Sequence, residues 1–150
     1  MRYMIRTNDK NLGYDIVESN GNVQLNAWGK TLKELFRNAL RGLTAYIKPN
    51  ALAVSNKEPK EKHALRVEAV DLNSLLIEFL TSVIAAADFR GLAFTHVAFK
   101  TLGDNFLEAE LSGVATNTFD QEVKAVSYSE VDIRHSPESG LYETTLVFEV

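Results

Sequence analysis

An α+β domain is predicted for this chain, with two amphipathic helices packed on mixed or antiparallel β-sheet. Three observations carry the prediction. Two segments repeat apolar residues at helical spacing and open with side-chain caps. Other segments, separated by Gly and Asn turns, alternate apolar and polar residues in the period of a half-buried strand. Beyond Gly91 the pattern is strand only.

The 150 residues suffice for one domain, 1–150, with a hydrophobic core of its own. Residues 1–13 read as an N-terminal extension, in which Met1 to Ile5 suit a short edge strand. Tyr14 to Val17 is a second extended segment, and Asn20-Gly21 marks a hairpin because both residues tolerate positive φ. Val23, Leu25 and Ala27 then alternate with Gln24, Asn26 and Trp28. Thr31 opens the first helix in a capping box with Glu34, and Leu32, Leu35, Phe36, Ala39, Leu40 and Leu43 form its apolar stripe. Pro49 stops it. Residues 49–62 are polar and charged and read as a surface loop. His63 to Val70 alternates as a strand. Asp71 caps the second helix, whose apolar residues run from Leu72 to Ala87, and Gly91 ends it. Strands follow at Ala93 to Lys100, Phe106 to Val114, Glu122 to Ile133 and Tyr142 to Val150.

Composition excludes several function classes. No cysteine is present, so thiol nucleophiles, disulfides and thiolate metal sites are absent. The net charge of −4, with basic residues interleaved among acids, gives no expectation of direct nucleic-acid binding. The N-terminus lacks the apolar run of a signal peptide, and apolar runs fall short of the roughly 20 residues of a membrane helix. A cytoplasmic protein without a membrane partner is the expectation. The histidines His63, His96 and His135 stand far apart, and neither a serine-nucleophile motif nor a phosphate loop occurs. No catalytic residue is assigned. Two residues are odd for their surroundings: Lys124 in the apolar run Val123-Lys124-Ala125-Val126, and Glu149 beside Val150. If the Asn20 to Asn22 turn approached Glu149 and the Val150 oxygens, they would offer the oxygen ligands that calcium or magnesium prefers.

Four segments in order resemble the archease family, over about Tyr14 to Val150. Ala27-Trp28-Gly29-Lys30-Thr31-Leu32-Lys33-Glu34-Leu35-Phe36-Arg37-Asn38-Ala39 is similar to its A-(W/Y)-G-x-(S/T)-L-E-E-(A/L)-F-x-N-A. Asp71 to Leu80 is similar to D-L-x-x-L-L-x-x-(W/F)-L, Glu122 to Tyr128 to E-(I/V)-K-A-V-T-Y, and Leu146 to Val150 to the closing V-(I/V)-F-D-I. The resemblance implies a non-enzymatic accessory protein that promotes guanylylation of an RNA-splicing ligase in tRNA splicing and RNA repair, with a bound divalent cation. It carries the functional lysine onto Lys124 and the metal ligands onto Asn22, Glu149 and Val150. Both ligand aspartates are exchanged: Asn22 stands for one and Glu149 for the other, while Ser129 stands where the family has histidine. Asn22 keeps a carbonyl ligand but loses a charge, which weakens a calcium or magnesium site; Glu18 and Asp15 are the nearby acids able to compensate. A diverged protein-binding or chaperone-like module that has lost the metal and serves another client is the alternative.

Overall fold

A computed structural model describes residues 3–7, 12–19, 21–56 and 60–150. The chain begins as an antiparallel meander of β1 (Tyr3–Thr7), β2 (Tyr14–Ser19) and β3 (Asn22–Gly29). Ser19 pairs with Asn22 across a turn in which Gly21 takes a φ of 83°, a conformation that costs glycine nothing. Asn20, expected in the same turn, lies outside the described residues, as do 1, 2 and 8–11 of the expected extension. The rest of that extension is no appendage, since β1 is an edge strand of the main sheet.

Helix α1 (Leu32–Ile47) starts as its sequence requires: Thr31 Oγ1 accepts from the Glu34 N–H at 3.1 Å. The return bond differs from a standard capping box. Glu34 Oε2 accepts from the N–H of Lys30 at 3.3 Å, one residue ahead of the cap. The stripe Leu35, Phe36, Ala39, Leu40 and Leu43 is fully buried.

The expected surface loop over 49–62 is overturned at both ends. Pro49 stops α1 but opens a second short helix, α2 (Pro49–Val54), because its fixed φ suits a first helical position. Ala51 of α2 is buried. Strand β4 (Glu61–Glu68) begins inside the supposed loop, and 57–59 lie outside the described residues. β4 also ends before Val70, which is exposed.

Helix α3 (Leu72–Arg90) is capped by Asp71, whose Oδ1 accepts from the Ser74 N–H at 2.8 Å, and ends at Gly91 in the left-handed conformation. It is the one helix among the described residues long and apolar enough to cross a membrane. The physical reason here is burial inside the protein. Leu75, Leu76, Ile77, Phe79, Leu80, Val83, Ala86 and Ala87 are all buried, and the helix packs on strands of both sheets and on α1, so apolar residues occupy more than one face.

The remaining strands are β5 (Leu92–Leu102), β6 (Phe106–Ala115), β7 (Ala125–Ser127), β8 (Arg134–His135) and β9 (Tyr142–Glu149). All pairings among the described residues are antiparallel, which decides between the mixed and antiparallel options. A six-stranded sheet runs β1-β2-β3-β9-β7, with β8 also on β9, and a three-stranded sheet runs β4-β6-β5. The continuous strand expected over 122–133 is broken. Between β7 and β8 the chain leaves β9: the Ile133 N–H bonds to Asn73 Oδ1 of α3 (2.8 Å) and the Asp132 N–H to Thr144 Oγ1 (3.1 Å). Val131 and Ile133 of this excursion pack on the core, so polar anchors and apolar contacts outweigh continued pairing.

The α3 cap has a pH signature. Its hydrogen bonds with Ser74 hold the Asp71 carboxyl below its ordinary value of 3.8. A depressed carboxylate stabilises the fold above the unfolded-state pKa, and that stabilisation is lost as pH falls through the folded value. Asp71→Ala is therefore expected to lower Tm at pH 7, with the gap to wild type narrowing below about pH 4. Thermal melts of both proteins across that range check it, and a gap independent of pH would refute the assignment.

Candidate functional site

The assigned residues meet at one end of the six-stranded sheet because of strand order. β9 lies between β3 and β7, pairing Val23 with Phe148 on one side and Ala125 with Glu149 on the other. The Lys124 N–H bonds to the Glu149 carbonyl at 2.7 Å. Asn22, one residue before Val23, and Lys124 thus flank the last turn of β9 from its two neighbours. Asn22, Lys124, Glu149 and Val150 are all exposed. The oddity of Lys124 in an apolar run resolves simply: Val123 and Val126 are buried while Lys124 faces solvent. Its ammonium has no ion-pair partner among the described residues.

Sequence reasoning missed a second feature of this edge. The Tyr128 hydroxyl donates to Glu78 Oε1 of α3, and the Ser127 and Ser129 hydroxyls bond each other at 2.8 Å. The hydrogen bond to the Glu78 carboxylate, with burial and its charge, raises the Tyr128 pKa. The tie holds the segment after β7 against the helix although Tyr128 is 53% exposed. Glu78 is one of the few charges on α3, the sequence signal by which the tie could have been found.

The edge supplies the Asn22 amide oxygen, the Glu149 carboxylate and Val150 backbone oxygens. Asp15 is committed elsewhere, accepting from Asn26 Nδ2 at 2.7 Å. Among the described residues no group of three His, Cys, Asp or Glu side chains converges on a point. Calcium takes about six to eight oxygens and magnesium about six, usually with more than one carboxylate. Among the described residues, this edge does not supply the donor set of a resident calcium or magnesium ion.

The arrangement of strands and helices among the described residues, with β9 clasped between β3 and β7, has known counterparts. The model of the Archease protein family (MTH1598/TM1083) matches residues 14–150. The chain belongs to the archease family. Curated archeases similar to it include one from Thermococcus kodakarensis, 30% identical over 128 residues (81% of this chain, 87% of the relative). Another, from Aeropyrum pernix, is 26% identical over 144 residues, covering 89% of this chain and 94% of the relative. Two solved structures share the fold. The solution structure of Methanobacterium thermoautotrophicum protein 1598 has a TM-score of 0.67 at 18% identity, over 93% of this chain and 99% of that one. A Thermotoga maritima crystal structure, described as an archease and possible chaperone, has a TM-score of 0.64 at 16% identity, over 89% and 94%. The archease match begins at Tyr14, so β1 precedes the part that the family model matches.

Proposed function

We propose that the chain is an archease-type accessory protein that binds an RNA-splicing ligase and promotes its guanylylation and turnover, without a catalytic group of its own. The observation that supports this reading is the exposed Lys124 ammonium, held at a fixed register by the backbone bond to Glu149 and left without an ion-pair partner among the described residues. Lys124 directly precedes β7, between buried Val123 and half-buried Ala125, so its backbone is fixed while the exposed ammonium is suited to an acidic or phosphate-bearing group on a partner. The Tyr128–Glu78 tie holds the adjoining segment in place. Partner binding of this kind acts by shifting the ligase between states, so the accessory protein needs differential contacts and no chemistry.

The test is a multiple-turnover guanylylation assay of a cognate ligase with and without the protein. Stimulation is expected, and Lys124→Ala is expected to remove most of it, about tenfold or more, with Tm unchanged because the side chain is exposed. No stimulation by wild-type protein overturns the reading. The exchange of both ligand aspartates, Asn22 and Glu149, favours a second reading: a chaperone-like module acting on a different client. Calorimetry with calcium and magnesium bears on the choice. Saturable heats would restore the cation-dependent form of the first reading, and silence is expected from the donor set.

A further inference from the structure

Strand β9 runs from Tyr142 to Glu149, so its first residues lie at the opposite end of the sheet from Lys124. An open cleft of about 470 Å³ is found there, on the polar face of the six-stranded sheet. That volume is in the range of small-molecule sites.

Strand register builds the floor. In β3 the side chains of Val23, Leu25 and Ala27 are buried in the core, and Asn26 and Trp28, at the alternate positions, line the cleft. Trp28 sits opposite Glu143 of β9, and Glu143 sits opposite Arg134 of β8. An indole ring, a carboxylate and a guanidinium thus form one row across three strands. In the adjoining row Asn26 is fixed from both sides. Its Oδ1 accepts from Thr145 Oγ1 and its Nδ2 donates to Asp15 Oδ1, both at 2.7 Å. The wall is the excursion between β7 and β8, which contributes Glu130 and Asp132. The Asp132 N–H bond to Thr144 Oγ1 ties that wall to β9.

Charge decides what the cleft can hold. Glu130, Asp132 and Glu143 line it, against one cation, Arg134. Arg134 Nε already donates to Asp132 Oδ2 at 2.6 Å. Glu130 and Glu143 are exposed and make no ion pair among the described residues. A phosphate or carboxylate ligand would meet repulsion here. A metal ion fits no better, since no three acids among the described residues gather at one point. The Trp28 ring is half-buried, and the face of an indole attracts organic cations more strongly than any other side-chain ring. Acids spread around such a ring suit a cation whose charges are themselves spread along a chain.

We propose that this cleft binds an organic polycation of the polyamine class, with one amino group against the Trp28 ring and Glu143 and another at Glu130. The methylenes between amino groups lie along the floor, where Asn26 is held by its neighbours. Neither Lys124 nor a ligase takes part.

Trp28 is the only tryptophan in the chain, so its fluorescence reports on the cleft alone. The test titrates the full chain at constant ionic strength with spermidine, magnesium and glucose, following Trp28 fluorescence and the heat of binding. Spermidine is expected to give a saturable change with half-saturation below about 1 mM, and magnesium and glucose none in that range. Glu143→Gln and Glu130→Gln, both at exposed positions, are each expected to weaken spermidine binding about fivefold or more. Either serves if the other fails to fold. Asp104→Asn, which removes the same charge from the exposed turn between β5 and β6, is expected to leave binding unchanged. No saturable signal and no heat up to about 10 mM spermidine overturns the site. So does saturation by magnesium or glucose at the concentrations that saturate with spermidine, or equal weakening in Asp104→Asn and the cleft variants.

Discussion

Phe79→Ala is expected to cost about 3–5 kcal/mol, the range for a large aromatic removed from a core that cannot collapse around the gap. Phe79 is fully buried in α3, and its ring lies 5.7 Å from those of both Phe36 and Phe99. These rings come from α1, α3 and β5, so the side chain joins both helices to the small sheet. The neighbours are fully buried or held on a paired strand and have little freedom to fill the space. For a domain of this size the loss corresponds to a Tm decrease of about 10 °C, and it takes a large part of the roughly 5–15 kcal/mol that holds such a fold. Calorimetry and urea melts measure it. A decrease below about 3 °C would show that the cluster is loosely packed.

Gly29→Ala is the second large effect, and it arises from a steric conflict where nothing is removed. A Cβ at Gly29 would lie 2.6 Å from the Leu35 nitrogen and 2.9 Å from the Glu34 carbonyl carbon. Both are backbone atoms of the first turn of α1, so no side chain can swing aside. Either β3 shifts in its pairing with β9 or the helix lifts and strains the Thr31–Glu34 cap. Overpacking of this kind costs about 1–3 kcal/mol, and loss of the cap adds about 1. Gly103→Ala is the control: its nearest contact would be the Phe106 oxygen at an ordinary 3.6 Å, and it is expected to be near neutral. Equal urea midpoints for the two variants would refute the close-approach account.

The same glycine shows what could be read from sequence. Capping of α1 by Thr31 and of α3 by Asp71, and the alternation in β3, β6 and β9, are local signals that tertiary structure had no reason to override. α2 was invisible because Pro49 reads equally as a stop and as a first helical residue. The excursion between β7 and β8 was invisible for a different reason, since its anchors, Asn73 and Thr144, are distant in sequence. The candidate site divides in the same way. Lys124 and Glu149 stood out as polar residues in apolar company, but their adjacency depends on β9 lying between β3 and β7.

The position of β9 also bears on how the chain is made. β3 leaves the ribosome early, and the strand that covers its free edge, β9, comes last among the described strands. The Thr145–Asn26 hydrogen bond between them spans 119 residues. Until β9 arrives, the β1-β2-β3 meander has an unpaired edge, the condition under which nascent strands pair with the wrong chain. The β4-β6-β5 sheet completes its own pairing sooner, because β4, α3, β5 and β6 follow one another directly. Synthesis therefore completes the pairing of the small sheet early and leaves that of the six-stranded sheet waiting for β9.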